Sequence, residues 1–330
     1  MKIISKILKL TTVFIMVLSI TACSNDDDNN GPGVQTTTVV DVALENNLTS
    51  LAAALQATGL VSTLEGTGPF TVFAPSNAAF TDLLNATGLD LNNLSTEEEA
   101  LVRNILLNHV IAGATISSSD LIASGSGYTN TQATGPNGEN LSLYFTTSGG
   151  VEINGMSTVT SADNTATNGI VHIVDTVITL PTIATFATSN DNLSILVDAL
   201  AYADTGSPTV PYINTVSDAE AGPFTVFAPS NAAFASLLTE LNISALSDLD
   251  TATVNAVLTY HIVNNANVQS DELSTGTVTT LGGDITADTS NFTLTDPNGR
   301  VSNIVTSLVD IQGINGVVHV IDKVLLSPQN

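Results

Sequence analysis

The chain has 330 residues, room for about two ordinary domains, and its hydrophobic content of 43% is enough to form buried cores. Only six basic residues stand against 31 acidic ones, and the formal net charge is −25. Because Lys2, Lys6 and Lys9 account for three of the six, the rest of the chain cannot form the basic patch that nucleic acids or anionic lipid surfaces require, and both are excluded as partners.

The first 22 residues have the layout of a secretory signal peptide. Three lysines precede an apolar segment at 10–20, which is shorter than the roughly 20 residues of a membrane span. Cys23 is the only cysteine in the sequence, and the small residues before it resemble the lipobox of bacterial lipoproteins. We predict that residues 1–22 are removed and that Cys23 is lipidated, since two or more acyl chains anchor a protein firmly. The alternative is an ordinary signal peptide with Cys23 near its cleavage site by chance.

Residues 23–38 are predicted to be a flexible tether. Three aspartates at 26–28 and a Gly-Pro-Gly sequence at 31–33 give this stretch too little apolar surface to fold. An acidic run after a lipidated cysteine resembles the surface-export signal of Bacteroidetes-type lipoproteins, and a plain spacer is the alternative. We therefore predict an outer-membrane lipoprotein of the cell envelope, exposed either on the cell surface or on the periplasmic face.

The rest of the chain contains one unit twice. Residues 68–80 and 222–234 are identical over thirteen positions, GPFTVFAPSNAAF, at an offset of 154. The closing segments, NGIVHIVDTVITLP and NGVVHVIDKVLLSP, match at an offset of 147. The largest difference is an extra stretch near 206–212 in the second copy. We predict a tandem duplication, with one domain at 39–181 and another at 182–328.

Each unit begins with helices around one apolar strand. The strand, 70–73 or 224–227, is predicted to end at a proline, because proline cannot donate to a sheet. The serine that follows, Ser76 or Ser230, is predicted to cap the next helix. A further helix is predicted to open at Ser95 or Thr96, with Glu98 and Glu99 in capping-box positions.

The second half of each unit is predicted to be rich in strands. Pro-Asn-Gly and Gly-Gly sequences separate segments rich in Thr, Val and Ile, including a hairpin turn at 296–299. The closing apolar run, 170–180 or 317–326, is apolar on both faces and is predicted to lie centrally in its sheet. The predicted fold class is α+β, with helices packed on a mostly antiparallel sheet.

All four histidines occupy equivalent positions in the two units. His109 and His261 continue the apolar stripe of a helix, which predicts buried, hydrogen-bonded side chains. His172 and His319 each precede an aspartate by three residues, an odd separation that places the two side chains on opposite faces of a strand. Neither a nucleophile elbow nor a phosphate- or dinucleotide-binding loop is present in the sequence. We predict four structural histidines, no catalytic residue, no cofactor, no metal site and no enzymatic activity.

These motifs together resemble the fasciclin-type domain, in both units. The resemblance rests on TVFAPSNAAF, a helix followed by histidine, and NGVVHVIDKVLL. It implies a wedge of strands with packed helices, an extracellular or cell-surface location, and a role in adhesion. Some members bind receptors through a Tyr-His pair after the second helix and an Asp-Ile pair before the final strand. The second unit keeps both pairs, as Tyr260-His261 and Asp310-Ile311, which are therefore candidate partner-binding residues; in the first unit asparagine replaces the tyrosine and the isoleucine.

The leading functional hypothesis is a non-catalytic adhesion protein that binds cell-surface or matrix proteins or glycans and is attached to its membrane through Cys23. The alternative is an accessory lipoprotein that binds a ligand or glycan, although a chain with no Trp and five Tyr offers a poor aromatic platform. A secreted hydrolase is disfavoured by the positions of the histidines.

Overall fold

A computed structural model describes residues 37–209 and 211–328. The predicted signal peptide, Cys23 and the tether up to residue 36 lie outside the described residues. Within the described part of the chain, no helix combines the length and the apolar character that a membrane span needs.

The first repeat places most of its helices before its main run of strands. Its helices are α1 Val39–Glu45, α2 Thr49–Ala57, α3 Val61–Leu64, α4 Asn77–Thr87, α5 Thr96–Leu107 and α6 Ser118–Ser124. Its strands are β1 Phe70–Pro75, β2 Val110–Ala112, β3 Ser126–Thr134, β4 Asn140–Thr146, β5 Glu152–Ile153, β6 Ser157–Ala166 and β7 Gly169–Val174.

The second repeat follows the same order, except that no helix corresponds to α6 between its strands β9 and β10. Its helices are α7 Ile183–Ser189, α8 Ser194–Thr205, α9 Tyr212–Ser217, α10 Asn231–Leu241 and α11 Thr251–Thr259. Its strands are β8 Phe224–Pro229, β9 Ile262–Asn264, β10 Gly276–Thr279, β11 Asp284–Asp288, β12 Thr293–Thr295, β13 Val301–Asn303, β14 Ile311–Gly313 and β15 Gly316–Ile321. The turn at 296–299 joins the antiparallel strands β12 and β13, which confirms the predicted hairpin.

Serine residues start the helices where the sequence predicted. The hydroxyl of Ser76 accepts a hydrogen bond from the backbone of Ala79, and Ser230 makes the same contact in the second repeat. At the start of α5 the carboxylate of Glu98 accepts from the backbone of Ser95 at 2.8 Å, which completes the predicted capping box. Such a cap stabilises a helix by about 1 kcal/mol.

The closing apolar run forms a central strand in each repeat, as predicted. The sheet of the first repeat has the order β2-β1-β7-β6-β5-β4-β3, and β1 and β7 are parallel. In the second repeat β15 lies between β14 and its parallel neighbour β8, in a sheet that ends at β9. Strands β10 to β13 form a separate antiparallel sheet. The mixed α+β fold with mostly antiparallel pairing is confirmed.

The central strand of the first repeat is shorter than the apolar run that forms it. Strand β7 ends at Val174, whereas the run continues to Leu180. Beyond it, Val177 and Ile178 are buried outside any strand, and the amide of Ile178 donates to the side chain of His109 rather than to a neighbouring strand. An all-strand interpretation of 170–180 is therefore wrong in its second half.

The described residues form one compact unit, in which the two repeats contact each other. We call this interface between the repeats the seam. Tyr144 of β4 packs in the hydrophobic cluster of the second repeat. The ring of Tyr128 lies 4.9 Å from that of Tyr144 and meets Phe186 of α7 edge to face at 5.8 Å. Its hydroxyl accepts a hydrogen bond from Asn190, and burial raises the pKa of Tyr128 to about 12. Aromatic side chains thus fix the first repeat against the second.

A buried amide cluster adds polar contacts to the seam. The side chain of Gln312 exchanges hydrogen bonds with Asn267, at 2.9 and 3.0 Å, and accepts from Gln269. The backbone amide of Gln312 donates to the hydroxyl of Ser142 in the first repeat at 2.9 Å. Because buried polar groups are costly unless paired, this cluster favours a single register between the repeats.

Candidate functional site

The helix-end histidines, His109 and His261, lie two residues beyond α5 and α11. Nδ1 of His109 donates to the carbonyl of Ile105 at 2.7 Å, and Nε2 accepts from the backbone amide of Ile178 at 2.8 Å. His261 repeats this arrangement with Val257 and Leu325, at 2.9 and 3.0 Å.

The hydrogen bonds of the helix-end histidines define their protonation. A backbone carbonyl can only accept and a backbone N–H can only donate, so both rings are neutral with the proton on Nδ1. Each side chain is 2% exposed, and burial lowers the pKa of His109 and of His261 to about 4. Near neutral pH neither ring has a free nitrogen with which to accept or give a proton.

The strand histidines, His172 and His319, lie on β7 and β15 and carry the opposite tautomer. Nδ1 of His172 accepts from the backbone amide of Asp163, and Nε2 donates to Ile116 at 2.9 Å. In the second repeat Nδ1 of His319 accepts from Asp310 at 3.3 Å. Its Nε2 donates to the carbonyl of Val268 at 2.9 Å. Burial lowers the pKa of both rings.

The contact between each strand histidine and an aspartate was missed by the sequence reasoning, which named Asp310 only as a candidate partner-binding residue. The carboxylate of Asp163 lies 4.0 Å from His172, and that of Asp310 lies 3.8 Å from His319. Both aspartates precede their histidine by nine residues, a repeated spacing that could have revealed the pairing. The aspartates that follow the histidines by three residues take no part, and Asp175 accepts from Thr158 instead.

A serine completes this arrangement, but the order of contacts is not that of a catalytic triad. Asp163 accepts hydrogen bonds from the backbone and hydroxyl of Ser118, and Asp310 does the same for Ser270. In a triad the imidazole lies between serine and carboxylate and takes the serine proton. Here the carboxylate lies between them, and the facing nitrogen of the histidine already accepts a backbone N–H. The geometry holds the start of α6 in the first repeat and the loop at Ser270 in the second, and it activates no nucleophile.

The candidate partner-binding residues differ in their access to solvent. Tyr260 is 6% exposed and Ile311 is 2% exposed, so both lie in the core together with His261. Asp310 has a positive φ of 56°, and its carboxylate is 36% exposed while it holds Ser270. Asp310 is therefore the one of the four whose side chain a partner can reach directly in this conformation.

A glycine pair covers the ring of Tyr260. A Cβ atom on Gly282 would lie 2.4 Å from the tyrosine ring, and one on Gly283 would lie 2.6 Å from its hydroxyl oxygen. The two glycines allow the loop to lie flat on the aromatic face. Among residues 37–209 and 211–328, no group of three or more His, Asp or Glu side chains is arranged to hold a metal ion.

Each of the two tandem α+β repeats has one helix-end histidine and one strand histidine, and backbone groups bind both nitrogens of each ring. The fold is therefore that of a class of paired domains. The fasciclin domain model matches residues 46–181 and 191–327. The chain therefore belongs to the fasciclin domain family, in two tandem copies.

Similar proteins come from bacteria and animals. Protein sll1483 of Synechocystis sp. is 35% identical over 147 residues, which cover 44% of this chain and 74% of that protein. Transforming growth factor-beta-induced protein ig-h3 of Sus scrofa is 27% identical over 265 residues, 80% of this chain, and the match spans 35% of its own length. The solved structure of a FAS1 domain pair from the insect cell adhesion molecule Fasciclin I has a TM-score of 0.51 at 17% identity, and the match covers 86% of this chain and 98% of that one. This last similarity concerns the fold.

Proposed function

We propose that this protein is a non-catalytic adhesion module of the cell surface, attached to the outer membrane by a lipid on Cys23. The observation that carries the proposal is that both nitrogens of every histidine ring are engaged by backbone groups, in a tandem fasciclin fold. Because the imidazoles join chain segments, they are not available for proton transfer. The fold supports binding through its surface rather than catalysis. Its partners are cell-surface or matrix proteins or glycans, and not nucleic acids.

The adhesion role is tested by attachment of cells to defined surfaces. Cells that lack residues 39–330 but keep residues 1–38 are compared with cells that carry the full chain, on bare, protein-coated and glycan-coated supports. We expect attachment to fall on at least one support. Equal attachment on every support contradicts the proposal, and a loss confined to glycan-coated supports favours the glycan-binding alternative.

The anchor and its orientation need separate measurements. A Cys23→Ala variant is expected to lose metabolic labelling with a fatty acid and to leave the membrane fraction, because the thiol that carries the lipid is gone. Protease treatment of intact cells is expected to degrade the wild-type protein if it faces outwards. Full protection in intact cells, together with degradation after the outer membrane is opened, assigns the protein to the periplasmic face and contradicts surface display.

A further inference from the structure

An apolar groove of about 390 Å³ opens between helices of the second repeat. Helices α8, α10 and α11, the loop before α11 and the end of the described chain contribute to its wall. None of its lining residues carries an ionisable side chain. Its apolar lining residues include Leu237, Leu241, Leu246, Leu249, Val257 and Leu326.

A difference between the two repeats contributes to this opening. Ser327 lines the groove, and the equivalent residue of the first repeat, in the matched closing segments, is Leu180. Leu180 packs against the hydrophobic cluster of its own repeat. A serine at this position removes most of a leucine side chain from the wall and leaves the apolar surface of α10 and α11 accessible.

Acidic residues flank the groove in the chain. The carboxylate of Asp250 accepts from Oγ1 of Thr253, which lines the groove, at 2.9 Å. Asp198 and Asp248 are exposed, and each adjoins a lining residue in the chain. Glu240, next to Leu241, is paired with Arg300 at 2.6 Å. Asp250 caps α11, and hydrogen bonds from Thr253 lower the pKa of its carboxyl, so that it is charged at neutral pH. The groove therefore has an acidic edge at Asp250, with further aspartates next to its lining residues in the chain.

We propose that this groove binds a basic amphipathic helix of a partner protein. Apolar residues at i, i+3, i+4 and i+7 of such a helix enter a hydrophobic groove as anchors, and its lysines or arginines face the acidic edges. The groove volume lies near the lower end of the roughly 300–1,000 Å³ range of ligand pockets, which suits a few anchoring side chains. This proposal rests on the proposed adhesion function and names the partner class of the second repeat.

The proposal is tested with a fluorescently labelled basic helix of about 20 residues, because isolated helices shorter than about 12–15 residues are marginal in water. Leucines occupy one face and lysines the rest. Two control peptides are a scrambled sequence of the same composition and a version with glutamate in place of lysine. Fluorescence anisotropy with the protein chain from residue 23 onwards is expected to show binding of the basic helix, weaker binding of the scrambled peptide and none of the acidic one.

A substitution that changes no charge distinguishes binding in the groove from general attraction of the peptide to an acidic protein. Ser327→Leu introduces the residue of the first repeat and is expected to weaken binding at least about tenfold, or about 1.4 kcal/mol. Ser62→Leu, at an exposed position of the first repeat, adds the same side chain elsewhere and is expected to leave binding unchanged. A second groove variant, Leu246→Lys, is expected to weaken binding independently by adding a cation to the wall.

Several results overturn the groove assignment. These are failure of the basic helix to bind, equal binding of the scrambled peptide, or equal binding by Ser327→Leu and wild type. Binding of the neutral dye Nile red without any binding of the helix assigns the groove to small apolar ligands instead. If cells lose attachment on deletion of residues 39–330 but keep it with Ser327→Leu, the adhesion proposal stands and the groove proposal is wrong.

Discussion

The backbone amide of Ile178 donates a 2.8 Å hydrogen bond to Nε2 of His109, 69 residues earlier in the chain. The bond joins the end of α5 to the segment that follows β7, and Leu325 makes the equivalent bond to His261 in the second repeat. Because Nδ1 of each ring donates to the preceding helix, each imidazole connects two parts of its core.

Removal of the His109 side chain is expected to destabilise the fold. In His109→Ala the amide of Ile178 loses its acceptor inside the core, which costs about 1–3 kcal/mol, and the vacated ring volume adds a cavity, whereas the carbonyl of Ile105 still accepts from the backbone amide of Asn108. The free energy of unfolding, measured by urea titration, should fall by about 3 kcal/mol. His109→Asn, whose amide keeps a donor near Ile105, is the control and should lose less. A fully stable His109→Ala protein would contradict the structural assignment.

Lowering the pH is expected to reduce the stability of the fold through His109 and His261. The unfolded imidazole binds a proton below pH 6.5, whereas His109 and His261 in the fold resist protonation down to about pH 4. The unfolded state therefore binds more protons in this window, and the free energy of unfolding falls as the pH is lowered from about 6.5 to about 4. Each ring contributes about 3 kcal/mol, at 1.36 kcal/mol per pKa unit.

This pH effect is separable from that of the carboxylates. Ser118 lowers the pKa of Asp163 below its ordinary value of 3.8, so the loss of that contact falls at a lower pH than the histidine window. Urea titrations at several pH values between 7 and 4.5 should give a smaller slope for His109→Asn than for the wild type. Parallel pH profiles for the two proteins would show that His109 titrates normally in the fold.

Substitutions of Asp310 are expected to show whether this residue only holds the loop at Ser270 or also binds a partner. Asp310→Ala removes the acceptor for Ser270 and puts alanine at a φ of 56°, so it should cost about 2 kcal/mol. Asp310→Asn keeps an acceptor and tolerates this backbone conformation, so it should cost less than about 1 kcal/mol. Asp163→Asn is the matched change in the first repeat. If Asp310 contacts a partner, attachment falls with Asp310→Asn and not with Asp163→Asn; equal attachment removes Asp310 from the candidate residues.

The amide cluster at the seam is expected to stabilise the pair of repeats. Gln312→Ala leaves Asn267 and Gln269 without their shared partner and should lower the free energy of unfolding by about 2 kcal/mol. Thr165→Ala, at the equivalent exposed position of the first repeat, should change it by less than about 0.5 kcal/mol. Urea titration measures both. Equal, small effects would mean that the cluster contributes little to the coupling.

Local rules were enough to predict the elements that recur in both repeats. Ser76 and Ser95 are caps because their hydroxyls reach backbone amides within one turn, a contact that depends on local sequence alone. The central position of β7 followed from a segment that is apolar on both faces. The burial of His109 followed from its place on an apolar stripe.

Contacts that depend on irregular backbone could not be predicted in the same way. His172 meets Asp163 because the pairing of β6 with β7 shifts register between Ser161 and Asn164, which carries Asp163 into a positive φ of 60°. Alternation along a regular strand gives no indication of such a bulge. The seam was also not foreseen, because Gln312 is recognisable as an interface residue only once its position facing Ser142 is known.

The central claim is that the four imidazoles hold the fold together and remain neutral, and ¹⁵N NMR of the histidine side chains tests it most directly. With four histidines in the sequence the spectrum is simple. The account predicts two rings with the proton on Nδ1 and two with the proton on Nε2, and it predicts that His109 and His261 stay neutral down to about pH 4. Titration of His109 or His261 near pH 6.5, or rapid exchange of any of the four rings between tautomers, would contradict it.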